Sequence, residues 1–229
     1  MSFEEPRVTL QVGFVAKSGW IIATERTQVD VDGAIRVSDE TVKLVTNEEI
    51  ACASSGDALS MIAAEQLVET SSQIDRNRTR RSLAIFGDNM WERYHNVCDP
   101  PFPEYYNRGL LIGFQEPRDL LWILNVGKRS HATPCPARKL AGDQRNPAAF
   151  FLKYYSRSAS LEQLTLLATH IITIGAELNS AGVGRGLDIA VCEEGVENGV
   201  VRKLSESEVE ELQQRSLEAD RKISQLFHE

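Results

Sequence analysis

The sequence predicts an α+β fold with mainly antiparallel sheets, stacked as a sandwich whose outer faces are covered by helices. Three observations predict it. Strand-like runs come in consecutive blocks and helix-periodic runs come in pairs, without the strand–helix alternation of a parallel sheet. The blocks then recur: strands, two helices, strands, two helices, a strand hairpin and a tail helix. Several strand runs are nearly continuously apolar, as expected where both faces are covered.

The elements follow in order. Met1 to Arg7 is a short polar leader, and Pro6 keeps its end extended. Thr9 to Ala16 is β-prone, Lys17-Ser18-Gly19 makes a tight turn, and Trp20 to Ala23 forms the second strand of a hairpin. Glu25-Arg26 closes it. A carboxylate beside so apolar a strand costs free energy unless a cation or donors meet it, so Glu25 calls for a partner. Thr27 to Thr41 is polar and is broken by Asp32-Gly33, a turn between short extended pieces. Val42 to Thr46 and Ile50 to Ala53 are paired strands around Asn47-Glu48-Glu49. Ser54, Ser55 or Asp57 caps the next helix, whose apolar face is Leu59, Ile62, Ala63 and Leu67.

Arg76, Arg78, Arg80 and Arg81 crowd the following connection. Such a run reads as a solvated helix start or as an anion site. Leu83, Phe86, Met90, Trp91 and Tyr94 face one way on a second helix, which Asp99 to Pro103 terminates. Leu110 to Phe114 and Leu120 to Val126 are strands around a Gln115 to Asp119 turn. Lys128 to Arg138, with Pro134 and Pro136, reads as a loop, and His131 as a loop residue. Lys139 to Gly142 is a short strand. Asn146 and Pro147 start a third helix running to Tyr155. Ser160 and Gln163 form a capping box for a fourth, with Leu164, Ala168, Ile171 and Ile172 on its inner face and His170 packed beside it. Leu187 to Val191 and Gly199 to Arg202 make the last hairpin. Ser205 and Glu208 cap a polar tail helix with a narrow apolar stripe. The expected division is a leader or propeptide at 1–8, one domain at 9–203 and the tail helix at 204–229.

Composition narrows function. The chain has 229 residues, 42% of them hydrophobic, enough for one domain with a sizeable core. A net charge of −8 argues against broad nucleic-acid binding. No apolar run approaches the roughly 18 residues of a membrane span. The opening MSFEEPR lacks the apolar stretch of a secretory signal, predicting a cytoplasmic protein. Cys52, Cys98, Cys135 and Cys192 are scattered, without metal-ligand spacing. They read as reduced thiols, and neither metal nor cofactor is expected.

Thr9, Val12-Gly13, Gly19, Ala23, Glu25 and Arg26 stand in the register of the opening segment of proteasome β-subunits. Lys43-Leu44-Val45, Gly56-Asp57-Ala58 and Leu187-Asp188-Ile189-Ala190-Val191 resemble later landmarks of that family. The resemblance implies the four-layer αββα sandwich of the N-terminal nucleophile hydrolases. It implies that Thr9, once N-terminal, attacks a peptide carbonyl while its own α-amine takes the proton. Lys43 would keep that amine neutral, Glu25 would hold Lys43, and a backbone N–H near Ala53, with Ser55 alongside, would stabilise the oxyanion and line the substrate site. It also implies a homo-oligomeric ring acting on peptides or unfolded proteins, with contacts through the Leu83 to Tyr94 helix or the Ala148 to Tyr155 segment and their exposed-looking aromatics Trp91, Tyr94, Tyr154 and Tyr155. The alternative is a non-catalytic subunit used for ring assembly or partner binding. Some positions depart from the family. Gly142-Asp143-Gln144-Arg145-Asn146 replaces a Gly-Ser-Gly stretch, and Asn179 to Gly184 lacks an Asp-x-x-Ser pair. Val8 precedes Thr9 where the family has Gly.

Overall fold

The computed structural model describes residues 9–29, 36–38, 41–97, 108–115, 121–142, 147–178, 186–193 and 199–225. Strands β1 (Leu10–Ala16) and β2 (Gly19–Glu25) form the opening hairpin. Gly19 turns it at φ 138°, and a Cβ there would fall 1.8 Å from the Cys192 carbonyl oxygen, so both conformation and space demand glycine. A two-stranded ribbon follows, β3 (Gln28–Val29) with β4 (Arg36–Ser38). Next come β5 (Leu44–Thr46) and β6 (Ile50–Ser55), then α1 (Ala58–Glu69), capped by Asp57, whose carboxylate accepts the Leu59 N–H. Helix α2 (Thr79–Tyr94) leads to β7 (Gly109–Phe114), β8 (Leu121–Asn125), β9 (His131–Cys135) and β10 (Arg138–Gly142). Helix α3 (Leu161–Leu178), strands β11 (Leu187–Glu193) and β12 (Val200–Lys203), and α4 (Glu206–Gln225) complete the order. The capping boxes form as expected: Ser160 with Gln163, and Ser205 with Glu208.

Two antiparallel five-stranded sheets run β10-β1-β2-β11-β12 and β5-β6-β7-β8-β9. Leu10, Val12, Phe14, Ala23 and Ile189 bury one face of the first sheet against Ala168, Ile171 and Ile172 of α3. Ile50, Cys52, Ile112 and Phe114 bury one face of the second against Ala63 and Leu67 of α1 and Leu83 and Met90 of α2. Ile22, Trp20, Ala190, Ala51 and Leu111 fill the space between the sheets. The molecule is therefore an αββα sandwich with three apolar layers.

Three local expectations are corrected. Lys128 to Arg138 is not a loop: His131–Cys135 is a strand. Pro134 is accommodated because β9 is the edge of its sheet and bonds only to β8. Pro147–Tyr154 is a 3-10 helix rather than an α-helix. So short a segment cannot recover the cost of nucleating an α-helix. Helix α3 packs against both this segment and α4, with Phe151 edge-on to His170 and Ser216 Oγ hydrogen-bonded to His170 Nδ1 at 2.8 Å. Trp91 is not an exposed aromatic but is buried, stacked on His95 and beneath the Arg108 guanidinium. Tyr154 is exposed. Cys52, Cys135 and Cys192 are buried and outside any disulfide; Cys98, Asp32-Gly33 and the Glu116 to Asp119 part of the hairpin turn lie outside the described residues.

Candidate functional site

Polar side chains gather at one end of the first sheet. Thr9 stands immediately before β1, Glu25 ends β2, and Lys43 immediately precedes β5. All three are buried. Lys43 Nζ donates to Glu25 Oε1 at 2.5 Å and to Thr9 Oγ1 at 3.2 Å. The other Glu25 oxygen accepts the Thr27 N–H. Glu25 thus has the partner that its apolar setting demanded, and the Thr9 hydroxyl sits directly on the ammonium.

The backbone explains how residues so far apart in sequence meet. Thr41 N–H donates to Arg26 O at 2.9 Å, and Ser54 N–H donates to Lys43 O at 2.8 Å. The segment carrying Lys43 is thereby tied to the end of β2 on one side and to β6 on the other. Burial drives the Lys43 ammonium below its ordinary value, with Glu25 pulling it back. Burial also drives the Glu25 carboxyl above its ordinary value, opposed by Lys43 and the Thr27 N–H.

Behind it lies a second polar layer. Gln11 and Asp188 both stand in register with Thr24, so Gln11, Thr24 and Asp188 form one row across β1, β2 and β11. Gln11 Nε2 donates to Ser54 O. Asp188 Oδ1 accepts Arg26 and Lys203, each at 2.8 Å. Gln11 Oε1 and Asp188 Oδ2 are buried without a partner among the described residues. Sequence analysis missed Gln11; its signal is a lone amide on an otherwise apolar strand.

Ala53 and Ser55 are less well placed than expected. Ala53 is fully buried inside the sheet, in register with both Leu44 and Leu111. The Ser54 N–H faces β5, so by strand alternation the Ala53 N–H faces β7 and is taken by the ladder. Ser55 Oγ donates to Gly109 O at 3.1 Å, away from Lys43. The corrected oxyanion candidate is Gly56, exposed at φ 120° where β6 turns into α1. Its N–H is the next one beyond Ser54 on the β5 side. Arg108, also absent from the expectations, anchors this turn. Its fully buried guanidinium grips both oxygens of Asp57, Nε at 2.8 Å and Nη2 at 2.5 Å. Residues 143–146 and 179–184, where the chain departs from proteasome sequences, lie outside the described residues.

No protein-family profile matches the chain, and no curated protein matches it by sequence. Among solved structures it resembles Anbu (ancestral beta-subunit) from Yersinia bercovieri, with a TM-score of 0.68 and 14% identity, over 96% of this chain and 97% of that one. The αββα sandwich built here from its two sheets and four helices is therefore a proteasome-like fold, shared along nearly its whole length with that protein.

Proposed function

We propose that this protein is a proteasome-like subunit that hydrolyses peptide bonds through Thr9 once residues 1–8 are removed. The observation that carries the proposal is the contact of Lys43 Nζ with both Thr9 Oγ1 and Glu25 Oε1. The freed α-amine accepts the hydroxyl proton as Oγ1 attacks the carbonyl, forming an acyl ester on Thr9. The same amine returns that proton to the leaving nitrogen, and water then hydrolyses the ester. The neighbouring ammonium keeps the amine neutral and ready as base, since an unperturbed α-amine titrates near pH 8. The Gly56 N–H supplies the oxyanion contact. While Val8 precedes Thr9, the Thr9 nitrogen is an amide and no base is available.

The test is a fluorogenic peptide panel applied to the full chain, a form beginning at Thr9, and Thr9→Ala within that form. We expect silence from the full chain and the Ala variant. The Thr9-first form should exceed both by on the order of 10²–10⁴-fold, the worth of a positioned general base. Activity in an intact full chain that survives Thr9→Ala would falsify the threonine mechanism. Silence from all three transfers the assignment to a non-catalytic subunit. Under either reading the subunit assembles with itself. Phe150 and Tyr154, 61% and 60% exposed on the 3-10 segment, offer the apolar surface that supports this. A monomer at every micromolar concentration in sedimentation removes that part.

A further inference from the structure

Gly56 belongs neither to the β6 ladder nor to α1: the strand ends at Ser55 and the helix begins at Ala58. At φ 120° it lies in the left-handed region that glycine tolerates. The direction of its N–H is therefore set by the residues on either side, and both are tied to the start of β7. Ser55 Oγ donates to Gly109 O at 3.1 Å. A Cβ on residue 109 would fall 2.9 Å from that hydroxyl, so the glycine leaves it room. Asp57 presents both carboxylate oxygens to Arg108, Oδ1 to Nε at 2.8 Å and Oδ2 to Nη2 at 2.5 Å. Arg108 is fixed in turn. Its carbonyl accepts the Val126 N–H at 2.9 Å, and its guanidinium lies over the Trp91 ring, 5.1 Å from the centroid.

We propose that Arg108 is a positioning residue for peptide hydrolysis: through Asp57 it holds the Gly56 N–H where the oxyanion forms. The role rests on Thr9 being the nucleophile and Gly56 the oxyanion donor. Capping does not require this arginine. Asp57 caps α1 through Oδ1, which accepts the Leu59 N–H at 3.1 Å, and Asn or Ser caps a helix as well. Stability is a weak reason for it too. Burying an ion pair costs desolvation that the attraction offsets only in good geometry, and apolar replacements are often as stable. The Arg108 side chain is 0% exposed and that of Asp57 17%, so the pair carries this cost. What it supplies is direction. The two parallel bonds of a guanidinium fork fix the plane of a carboxylate as well as its distance. With Ser55 held on one side and Asp57 on the other, the glycine between them keeps its N–H in one orientation. A donor fixed before the substrate arrives needs no reorganisation as negative charge develops.

The experiment compares the parent with Arg108→Lys, with the double variant Arg108→Met/Asp57→Asn, and with Arg202→Ala, which breaks an exposed pair between β12 and α4. Urea midpoints are read on the full chain, and kcat and KM for a fluorogenic peptide on the Thr9-first form. The double variant keeps a capping side chain and strands no buried charge, so its midpoint should stay near the parent's. Its kcat should nevertheless fall by on the order of 10- to 100-fold with KM unchanged, because a misplaced donor is lost to the transition state and not to bound substrate. Arg108→Lys keeps the charge without the fork and should lose kcat as well. Arg202→Ala should match the parent. If the double variant is destabilised, kcat is compared per folded molecule and Arg108→Lys decides. Full kcat in either Arg108 variant overturns the proposal, as does a loss confined to KM, a loss that only follows the folded fraction, or an equal loss in Arg202→Ala. Silence of the parent Thr9-first form is a separate result: it removes the Thr9 assignment itself, and this role with it.

Discussion

The two five-stranded sheets differ in what their central rows bury. In the first, Gln11, Thr24 and Asp188 stand side by side across β1, β2 and β11, and Glu25 and Thr9 end the same strands. In the second, Cys52, Ile112 and Trp122 stand side by side across β6, β7 and β8. Both sheets are covered by helices, so burial alone does not account for the difference. A buried polar group is costly unless it is partnered. The first sheet meets that cost with Lys43, brought from the segment before β5, and with Arg26 and Lys203 at the ends of its own β2 and β12. The lesson is a division of labour: one sheet is scaffold, and one end of the other carries the candidate site.

The sharpest way to break the comparison is Lys43→Ala. It strands a buried carboxylate and should destabilise the fold by roughly 3–5 kcal/mol. Replacing both partners with apolar residues, Glu25→Leu with Lys43→Met, should recover much of that loss. Urea midpoints decide it, and a Lys43→Ala midpoint equal to the parent's shows that the pair is not coupled. Next in size is Ile112→Ala in the scaffold sheet, a fully buried truncation expected to cost about 2–5 kcal/mol. Below its unfolding temperature the Thr9-first form of this variant should keep its specific activity. A selective loss of activity would mean that the second sheet also tunes the site. Asp188→Asn weakens two charge-assisted contacts and should cost about 1–3 kcal/mol. It should also lower activity more than its stability loss explains, because Arg26 carries the carbonyl that holds Thr41.

The smallest effect is a pH dependence on the helical side of the first sheet. Burial holds His170 below the ordinary 6.5, while Asp220 and Glu177 oppose the shift. As pH falls through 6.5, the unfolded chain takes up the proton before the folded one does. Stability should therefore fall with pH from 6.5 down to the folded value. His170→Gln should flatten that part of the profile relative to the parent, as read by thermal denaturation across a pH series. An unchanged slope assigns the dependence to other groups.

Much of this architecture was legible locally. Block order sufficed for antiparallel sheets, and the caps at Asp57, Ser160 and Ser205 marked helix starts because capping is satisfied within a few residues. Glu25 announced a missing partner by its setting alone. The strand at His131–Cys135 was not legible, since Pro134 is admitted only by an edge position that the rest of the sheet creates. Trp91 looked available because helical periodicity cannot show that Arg108 covers it.

Periodicity and turn chemistry are thus enough to specify the strands, the helices and the hairpin at Gly19, because the forces involved act between near neighbours in the chain. Tertiary structure alone decided which groups touch. Lys43 meets Thr9 and Glu25 only because the segment before β5 is tied to the end of β2 by Thr41 and to β6 by Ser54. The proposed oxyanion donor is Gly56 rather than Ala53 because hydrogen bonds alternate along a paired strand, and the pairing belongs to the sheet rather than to the segment.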